Sequence, residues 1–334
     1  MTAAEILRVI PRLSALVVGD ICLDRWCLYD PAVEEPSRET GIPRIGVVAT
    51  EVTPGAGGTV ANNLAALGAR RVAVLGITGD DGFAFELRRA LQQRGIQSDL
   101  LVKQVGLQTF TYTKLINRNT GVEDRPRVDF INVRPPSPAA ERRVLRTLQR
   151  TAESFDVILI SDQAETAEGG VVTPRVRQQL SELAARYPSK VFFADSRMRP
   201  EHFRRVIVKP NQQEAEAACL RLFGEVDYGR LRAHVEAPFL VVTHGPRGAL
   251  VVTGENQIWV ETRPVANPVD ICGAGDSFSA GAALALAAGA SPVEAARFGN
   301  LVASVTIMKK GTGTAAPHEV LEAEEHLGRE HVGD

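Results

Sequence analysis

Residues 268–289 read PVDICGAGDSFSAGAALALAAG and change from a turn to a helix within a few positions. Gly273, Ala274 and Gly275 carry almost no side chain, so their backbone N–H groups can converge on one point. Residues 277–288 contain no proline and no charge, which predicts a helix directly after the turn. The start of a helix offers unpaired N–H groups and the positive end of the helix dipole. The segment therefore predicts an anion-binding site.

Asp276 lies where this turn becomes the helix, and its position is compatible with two roles. Its carboxylate can cap the helix, or it can act as a base beside a bound phosphate. The residues alone leave both roles open. Asp270 lies six positions earlier, in the same turn, and the following helix is rich in Ala and Gly. Such a helix can pack closely against a sheet.

The length and composition limit the classes of protein to which this chain can belong. With 334 residues, 44% of them hydrophobic, the chain can form one large α/β domain or two smaller ones. The net charge of −2 gives no indication of nucleic acid or of an anionic membrane as a partner. No apolar run approaches the roughly 20 residues that span a bilayer, and the N-terminus lacks a signal-peptide core. We therefore expect a cytoplasmic protein that binds neither nucleic acid nor membranes.

The hydrophobic pattern alternates between short buried strands and amphipathic helices. This alternation predicts a doubly wound, mostly parallel α/β sheet with helices on both faces, within a single domain that spans residues 1–334. The predicted strands cover residues 15–18, 71–77, 98–103, 156–160, 190–194, 206–208 and 239–243, and the predicted helices cover residues 60–67, 83–94, 138–152 and 174–185. A hairpin is expected at 249–261, and the charged tail from residue 322 is expected to fray.

Two segments, near residues 25–53 and 107–134, lack a helical period and alternate polar with apolar residues. The second segment predicts an antiparallel hairpin around a turn at residues 119–121. Both leave the carboxyl ends of early strands, the edge at which open α/β sheets bind ligands. We therefore predict a small β lid over the site, whose exposed strands can pair between two chains in a homodimer.

A second glycine-rich turn, residues 54–59, feeds the next predicted helix. It is compatible with half of a dinucleotide fingerprint, and hence with a nicotinamide-dependent oxidoreductase. The following strand, however, has no acidic residue at its tip, where that fingerprint requires one. The alternative is close approach of the backbone to a polyhydroxyl ligand, which small residues permit.

Two further acidic motifs have a structural and a functional interpretation. Asp20 and Asp24 follow the first strand, where paired carboxylates can bind sugar hydroxyls or a metal, or can cap turns. Asn211 and Glu214 have the spacing of a helix capping box, and the same pair can lie beside a metal-bound phosphate. Both interpretations remain open for each pair.

These motifs together resemble the ribokinase-like PfkB family of carbohydrate kinases. Residues 270–276 match the family's Asp-x-x-Gly-Ala-Gly-Asp signature, and residues 54–82 resemble its N-terminal signature. The resemblance implies an ATP-dependent sugar kinase in which Asp276 takes the proton of the acceptor hydroxyl. It also implies that the N–H groups of Gly273, Ala274, Gly275 and Asp276 form the anion hole.

The resemblance extends to the binding residues. Asp24 matches the sugar-binding aspartate, whereas Thr59 stands where the family usually has asparagine. Asn211 and Glu214 correspond to the motif that holds Mg²⁺ through water, and Asp270 to a position near a monovalent cation such as potassium. The remaining expected substrate contacts are Asp20, Gly57, Gly58, Asn63 and Lys114, and the expected nucleotide contacts are Thr243, Gly245, Gly248, Asn300 and Gly311.

Within this family the chain is most similar to the heptose 7-phosphate kinases, through residues 17–26, 113–115 and 161–162. Those kinases continue Ser-Asp-Tyr-x-Lys-Gly, whereas residues 161–166 read SDQAET. The expected substrate is a sugar or a sugar phosphate, with a heptose 7-phosphate as one candidate and a free sugar or a nucleoside as the alternative. Arg25, Lys114 and Arg118 are the predicted receivers of a distal phosphate.

Overall fold

The computed structural model describes residues 1–254, 256–262 and 265–330. Its strands are β1 (Ser14–Gly19), β2 (Ile21–Tyr29), β3 (Val47–Ala56), β4 (Arg71–Leu75), β5 (Ile77–Thr78), β6 (Val102–Lys103), β7 (Thr111–Asn117), β8 (Val128–Phe130), β9 (Val157–Asp162), β10 (Val191–Ser196), β11 (Ile207–Val208), β12 (Leu240–Thr243), β13 (Ala249–Val252) and β14 (Gln257–Val260). Its α-helices are α1 (Ala3–Val9), α2 (Gly57–Ala66), α3 (Gly82–Gln93), α4 (Pro138–Thr151), α5 (Pro174–Arg186), α6 (Gln212–Phe223), α7 (Tyr228–His234), α8 (Ala274–Ala287), α9 (Pro292–Thr306) and α10 (Pro317–Glu330).

The main sheet has eight strands in the order β14-β13-β12-β11-β10-β9-β1-β4. Neighbours from β4 to β12 are parallel, and β12, β13 and β14 form an antiparallel edge. Strand β1 is buried at all six positions, as expected for a parallel strand that is covered on both faces. The predicted doubly wound, mostly parallel α/β sheet is confirmed.

Successive residues of β1 point into two separate hydrophobic clusters. Ala15 and Val17 pack with residues of α2, α8 and α9, whereas Leu16 and Val18 pack with residues of α4, α5 and α6. This period of two places helices on both faces of the sheet. Helices α8 and α9 approach closely because Gly281 and Gly299 carry no side chain. A Cβ at Gly281 would lie 2.9 Å from Val302 Cγ2, and one at Gly299 would lie 3.0 Å from the Phe278 ring.

A second sheet of four strands, in the order β3-β2-β7-β8, forms the predicted lid. Only Asp20 separates the end of β1 from the start of β2, so the lid leaves directly from the carboxyl edge of the main sheet. It pairs with β3 in antiparallel and with β7 in parallel register, which places Asp24 between Thr53 and Tyr112. Strands β7 and β8 form the predicted hairpin.

The helix boundaries differ from the sequence expectations at several positions. Helix α2 begins at Gly57, because Ala56 at a φ of 50° turns the chain and so brings three residues of the predicted turn into the helix. The strand predicted at 98–103 is reduced to β6, and α7 was not predicted. Residues 322–330 of the tail that was expected to fray belong to α10, which continues to Glu330, and residues 331–334 lie outside the described residues. No helix in the described ranges has the length and apolar character needed to cross a membrane.

Candidate active site

The turn before α8 is held in place by Asp270. Its Oδ1 accepts a hydrogen bond from the Cys272 N–H (2.9 Å), and its Oδ2 accepts one from the Gly311 N–H (3.1 Å). Gly273 is the N-cap of α8 with a φ of 78°, a left-handed conformation that favours glycine. The Ala274 N–H, the first of α8, donates to the Ile271 carbonyl (3.2 Å), so it is not available for the predicted anion hole.

Asp276 lies in the first turn of α8, two residues beyond the first helical position. No side-chain hydrogen bond caps the start of this helix, so the capping role that the sequence left open for Asp276 is not seen in the described residues. Burial and the nearby Asp195 carboxylate raise the pKa of Asp276 to about 8, against the opposing effect of Lys209. A carboxyl group with that pKa can accept a proton from an alcohol far better than an ordinary aspartate can.

A buried ion pair lies beneath the turn. Lys209 Nζ lies 3.0 Å from Asp195 Oδ2, and the Ser279 hydroxyl donates a hydrogen bond to the same oxygen (3.0 Å). Burial alone would lower the pKa of Lys209, but Asp195 and Glu214 raise it overall, so the ammonium group stays charged. A Cβ on Gly275 would lie 3.6 Å from this ammonium group. Lys209 therefore lies beside the predicted anion site as half of this ion pair, although no role had been predicted for it.

Asp24 reaches the cleft from the lid, above Asp276. Burial raises the pKa of Asp24 to about 6, and Lys114 and Arg127 oppose the shift. Gly55 lies beside it on β3, where a Cβ would lie only 2.3 Å from Asp24 Oδ1. The absence of a side chain at Gly55 therefore leaves the space that the Asp24 carboxylate occupies.

Four cationic side chains line the cleft: Arg25, Lys114, Arg127 and Arg197. Lys114 lies 3.6 Å from Glu123, Arg127 binds Asp129, and Arg197 binds Glu165. The sequence analysis did not predict Arg127. Arg118, which was predicted to receive a distal phosphate, does not line the cleft, because its guanidinium group pairs with Asp30 at 2.8 Å. The other residues that line the cleft are Asp24, Trp26, Ala56, Thr59, Tyr112, Gln163, Cys272, Gly273, Asp276 and Thr312.

The first turns of α2 have a packing role. A Cβ at Gly57 would lie 2.7 Å from Ile21 Cδ1, and one at Gly58 would lie 2.5 Å from Pro54 Cβ. Thr59 lines the cleft, but its hydroxyl donates to the Pro54 carbonyl (3.3 Å). Asn63 is fully buried and donates to the Thr59 carbonyl. Of these four predicted contacts, only Thr59 borders the cleft.

Asp20 lies behind the cleft. Its carboxylate is 1% exposed and accepts hydrogen bonds from the backbone N–H groups of Gln163, Ala164 and Val171. Asp20 does not border the cleft. In the structure, Asp20 links the end of β1 to the chain that follows β9 by these hydrogen bonds. The prediction that Asp20 contacts the substrate therefore does not match its position.

The predicted nucleotide residues lie along the same edge of the main sheet. Asn211 and Glu214 form the capping box of α6, and Asn211 makes a parallel bridge to Thr243 at the end of β12. Gly248, at a φ of 100°, has no space for a side chain, since a Cβ would lie 2.2 Å from the Val260 carbonyl oxygen. Asn300 of α9 donates to that carbonyl (3.2 Å).

The remaining two nucleotide candidates are glycines at turns. Gly245 has a φ of 58° and begins the short turn after Thr243. Gly311 lies against the lid: a Cβ built on it would be 3.5 Å from the ring of Trp26 on β2. The structure thus brings Asn211, Thr243 and Gly245 to one edge, while Gly311 lies against the turn before α8.

A carboxyl group of raised pKa at a helix N-terminus, a buried ammonium group beneath it and a cleft below a β lid are features that suit a small-molecule phosphotransferase. The chain belongs to the PfkB family, since the profile of the pfkB family carbohydrate kinases matches residues 27–319. The resemblance read from the sequence is confirmed. Nothing in the comparisons favours the nicotinamide-dependent alternative.

Among similar proteins of known sequence is the bifunctional protein HldE of Pelobacter propionicus. It is 31% identical over 319 residues, which are 93% of this chain and 63% of that protein. The HldE protein of Trichlorobacter lovleyi is 30% identical, over 93% of this chain and 62% of that protein. The chain therefore spans less than two thirds of the length of these relatives.

The fold is also similar to that of solved kinases. Escherichia coli phosphofructokinase-2 in complex with potassium has a TM-score of 0.72 at 21% identity, over 95% of this chain and 100% of that one. Ribokinase from Thermotoga maritima has a TM-score of 0.68 at 20% identity, over 94% of this chain and 99% of that one. These similarities establish the ribokinase-like fold.

Proposed function

We propose that this protein transfers the γ-phosphate of ATP to a hydroxyl group of a sugar phosphate, with a heptose 7-phosphate as the leading candidate. The observation that supports this proposal most directly is the position of Asp276. It combines a pKa of about 8 with a place in the first turn of α8, on the wall of a cleft that Asp24 enters from the lid. In this proposal Asp24 orients the sugar, and Asp276 takes the proton of the attacking hydroxyl.

In this proposal, groups on two sides stabilise the negative charge of the transferring phosphoryl group. The N–H groups at Gly273, Gly275 and Asp276 face it at the start of α8, where the helix dipole is positive, whereas the Ala274 N–H donates to the Ile271 carbonyl. The Lys209 ammonium group lies below, paired with Asp195, whose carboxylate Ser279 holds by a hydrogen bond. The lid excludes water from the cleft, which limits transfer of the phosphoryl group to water.

ATP and Mg²⁺ fit the remaining residues of this edge. We assign the nucleotide to the loops with Thr243, Gly245, Gly248 and Gly311 and to Asn300. One oxygen of Glu214 accepts the Asn211 N–H (2.7 Å), and burial raises the pKa of Glu214. The described residues contain no group of three His, Cys, Asp or Glu that could hold a metal. The ion would neutralise charge on the phosphates.

The charges of the cleft favour a phosphorylated acceptor. Four cationic side chains and two carboxylates, Asp24 and Asp276, line it. Each cation also pairs with a carboxylate outside this lining, namely Glu86, Glu123, Asp129 or Glu165, which an acceptor phosphate would replace. Lys114 and Arg127 stand on the lid side, where the end of the acceptor far from Asp276 would lie. Free sugars or nucleosides, the alternative acceptors, carry no charge that would use these cations.

Measuring ADP release over a panel of acceptors tests this proposal. Heptose 7-phosphate and fructose 6-phosphate should serve better than the same sugars without phosphate. Lys114→Met should raise the KM of the phosphorylated sugar at least tenfold more than that of the free sugar. Arg118→Met is the matched control, since Arg118 pairs with Asp30 outside the cleft. Equal effects of Lys114→Met on both sugars would leave a kinase of free sugars or nucleosides.

We also propose that residues 1–334 form one kinase domain that acts in the cytoplasm, where ATP is available. A homodimer through the lid is supported by the exposed apolar side chains of Val47 and Val48 on its edge strand β3. Asp270, which lies beside the Gly311 loop, is the candidate for a monovalent cation such as potassium. A chain that sediments as a monomer at micromolar concentration would contradict the dimer.

A further inference from the structure

The chain between β9 and α5 is held at both ends by one buried carboxylate. We call residues 163–171 the acceptor loop. Asp20 Oδ2 accepts hydrogen bonds from the N–H groups of Gln163 (2.8 Å) and Ala164 (2.9 Å), and Oδ1 accepts one from Val171 (2.8 Å). The carboxylate thereby joins the first and the last residues of this loop.

The acceptor loop contributes to the cleft in two ways. Gln163 lines the cleft directly, and its Nε2 donates to the Asp195 carbonyl (3.3 Å). Glu165 binds the guanidinium group of Arg197, which also lines the cleft. Asp195 in turn carries the ion pair with Lys209. A change in the path of the loop would therefore displace an amide and a cation on the acceptor wall.

We propose that Asp20 is a positioning residue that fixes the acceptor loop, and through Gln163 and Arg197 sets the affinity for the acceptor rather than for ATP. This inference rests on the proposed kinase function. Asp20 itself touches none of the reactants, because it is buried behind the wall of the cleft. Its two oxygens suit three N–H donors, whereas an amide would offer one oxygen and would direct an NH₂ group at the remaining donors.

Gly170 gives a second way to disturb the same junction. A Cβ at Gly170 would lie 2.9 Å from Ala164 Cβ and 3.5 Å from both oxygens of Asp20. The methyl group of Gly170→Ala would therefore separate the two ends of the acceptor loop without removing a charge. A matched control exists at the other end of β1, where Asp156 Oδ2 accepts hydrogen bonds from the Ser14 N–H and hydroxyl, both at 2.8 Å.

The experiment combines hydrogen exchange with steady-state kinetics on the full chain, using heptose 7-phosphate and ATP. In Asp20→Asn and in Gly170→Ala, we expect amide exchange in residues 163–171 to become at least tenfold faster. We expect the KM of heptose 7-phosphate to rise at least tenfold, while kcat and the KM of ATP stay within threefold. Asp156→Asn should change none of these values.

Two results would overturn the proposal: unchanged exchange in the acceptor loop of both variants, or an equal rise in the KM of ATP and of heptose 7-phosphate. If Asp20→Asn does not fold, Gly170→Ala decides the outcome by the same criteria. Absence of ADP release by the wild-type enzyme with heptose 7-phosphate would refute the proposed substrate instead. The exchange measurement needs no substrate, so the two failures can be told apart.

Discussion

Replacing Gly55 by alanine should damage acceptor binding through Asp24 while leaving the fold intact. A Cβ at this position would lie 2.3 Å from Asp24 Oδ1 and 2.7 Å from Oδ2. Ordinary contacts of a Cβ begin near 3.4 Å, so the carboxylate must move by about 1 Å, a displacement that can cost about 100-fold in rate. That factor corresponds to about 2.7 kcal/mol of transition-state stabilisation. The backbone at Gly55 does not require a positive φ, so alanine adds no backbone strain.

The assay is kcat/KM for the acceptor in a cycle of three variants: Gly55→Ala, Asp24→Ala and the double variant. In the wild-type background, Gly55→Ala should lower kcat/KM about 100-fold. In the Asp24→Ala background the carboxylate is gone, so the same change should cost less than threefold. Gly82→Ala is the matched glycine control, since a Cβ there meets nothing within 4 Å.

The cycle can refute this reasoning in two ways. A loss of 100-fold that persists when Asp24 is already alanine would show that Gly55 acts through something other than this carboxylate. Wild-type activity of Gly55→Ala would show that the position of Asp24 does not matter to the acceptor.

Three further predictions concern the base, the metal and the packing. Because Asp276 must be ionised and its pKa is raised to about 8, kcat/KM should fall about tenfold per pH unit below that value; a flat profile between pH 6 and 9 would contradict this. Activity should vanish in excess chelator, and Glu214→Gln should require more Mg²⁺ for half-maximal rate; activity that persists in chelator would refute the metal requirement. Gly281→Ala, whose Cβ would lie 2.9 Å from Val302, should lower the free energy of unfolding in urea by about 1–3 kcal/mol, and an unchanged midpoint would count against the close helix contact.

The parts of the structure that the sequence predicts well are those fixed by local patterns. The alternation of apolar segments predicts the parallel sheet, because strands buried on both faces must be almost wholly apolar, as β1 is. The sequence predicts the turn before α8 equally well, since Gly273 adopts a φ of 78°, a conformation that favours glycine. These features depend on residues within a few positions of each other.

The site features that sequence reasoning missed depend on residues far apart in the chain. Asp20 and Val171 are separated by 151 positions, so nothing near Asp20 indicates that its oxygens are used by backbone N–H groups. The same holds for Lys209, whose ion pair with Asp195 forms only when β10 and β11 lie side by side. Arg127 could have been suspected only once the lid hairpin was known to face the cleft.

The most direct test of the proposed mechanism is the turnover number of Asp276→Asn with saturating ATP and acceptor. The amide keeps the size of the side chain but cannot take the proton of the acceptor hydroxyl, so kcat should fall about 10²–10⁴-fold. The thermal unfolding midpoint and the affinity for ATP should not fall below wild type, because Asp276 makes no capping contact in α8 and the fold disfavours its charge, as its raised pKa shows. A kcat within threefold of wild type would contradict the assignment of Asp276 as the base.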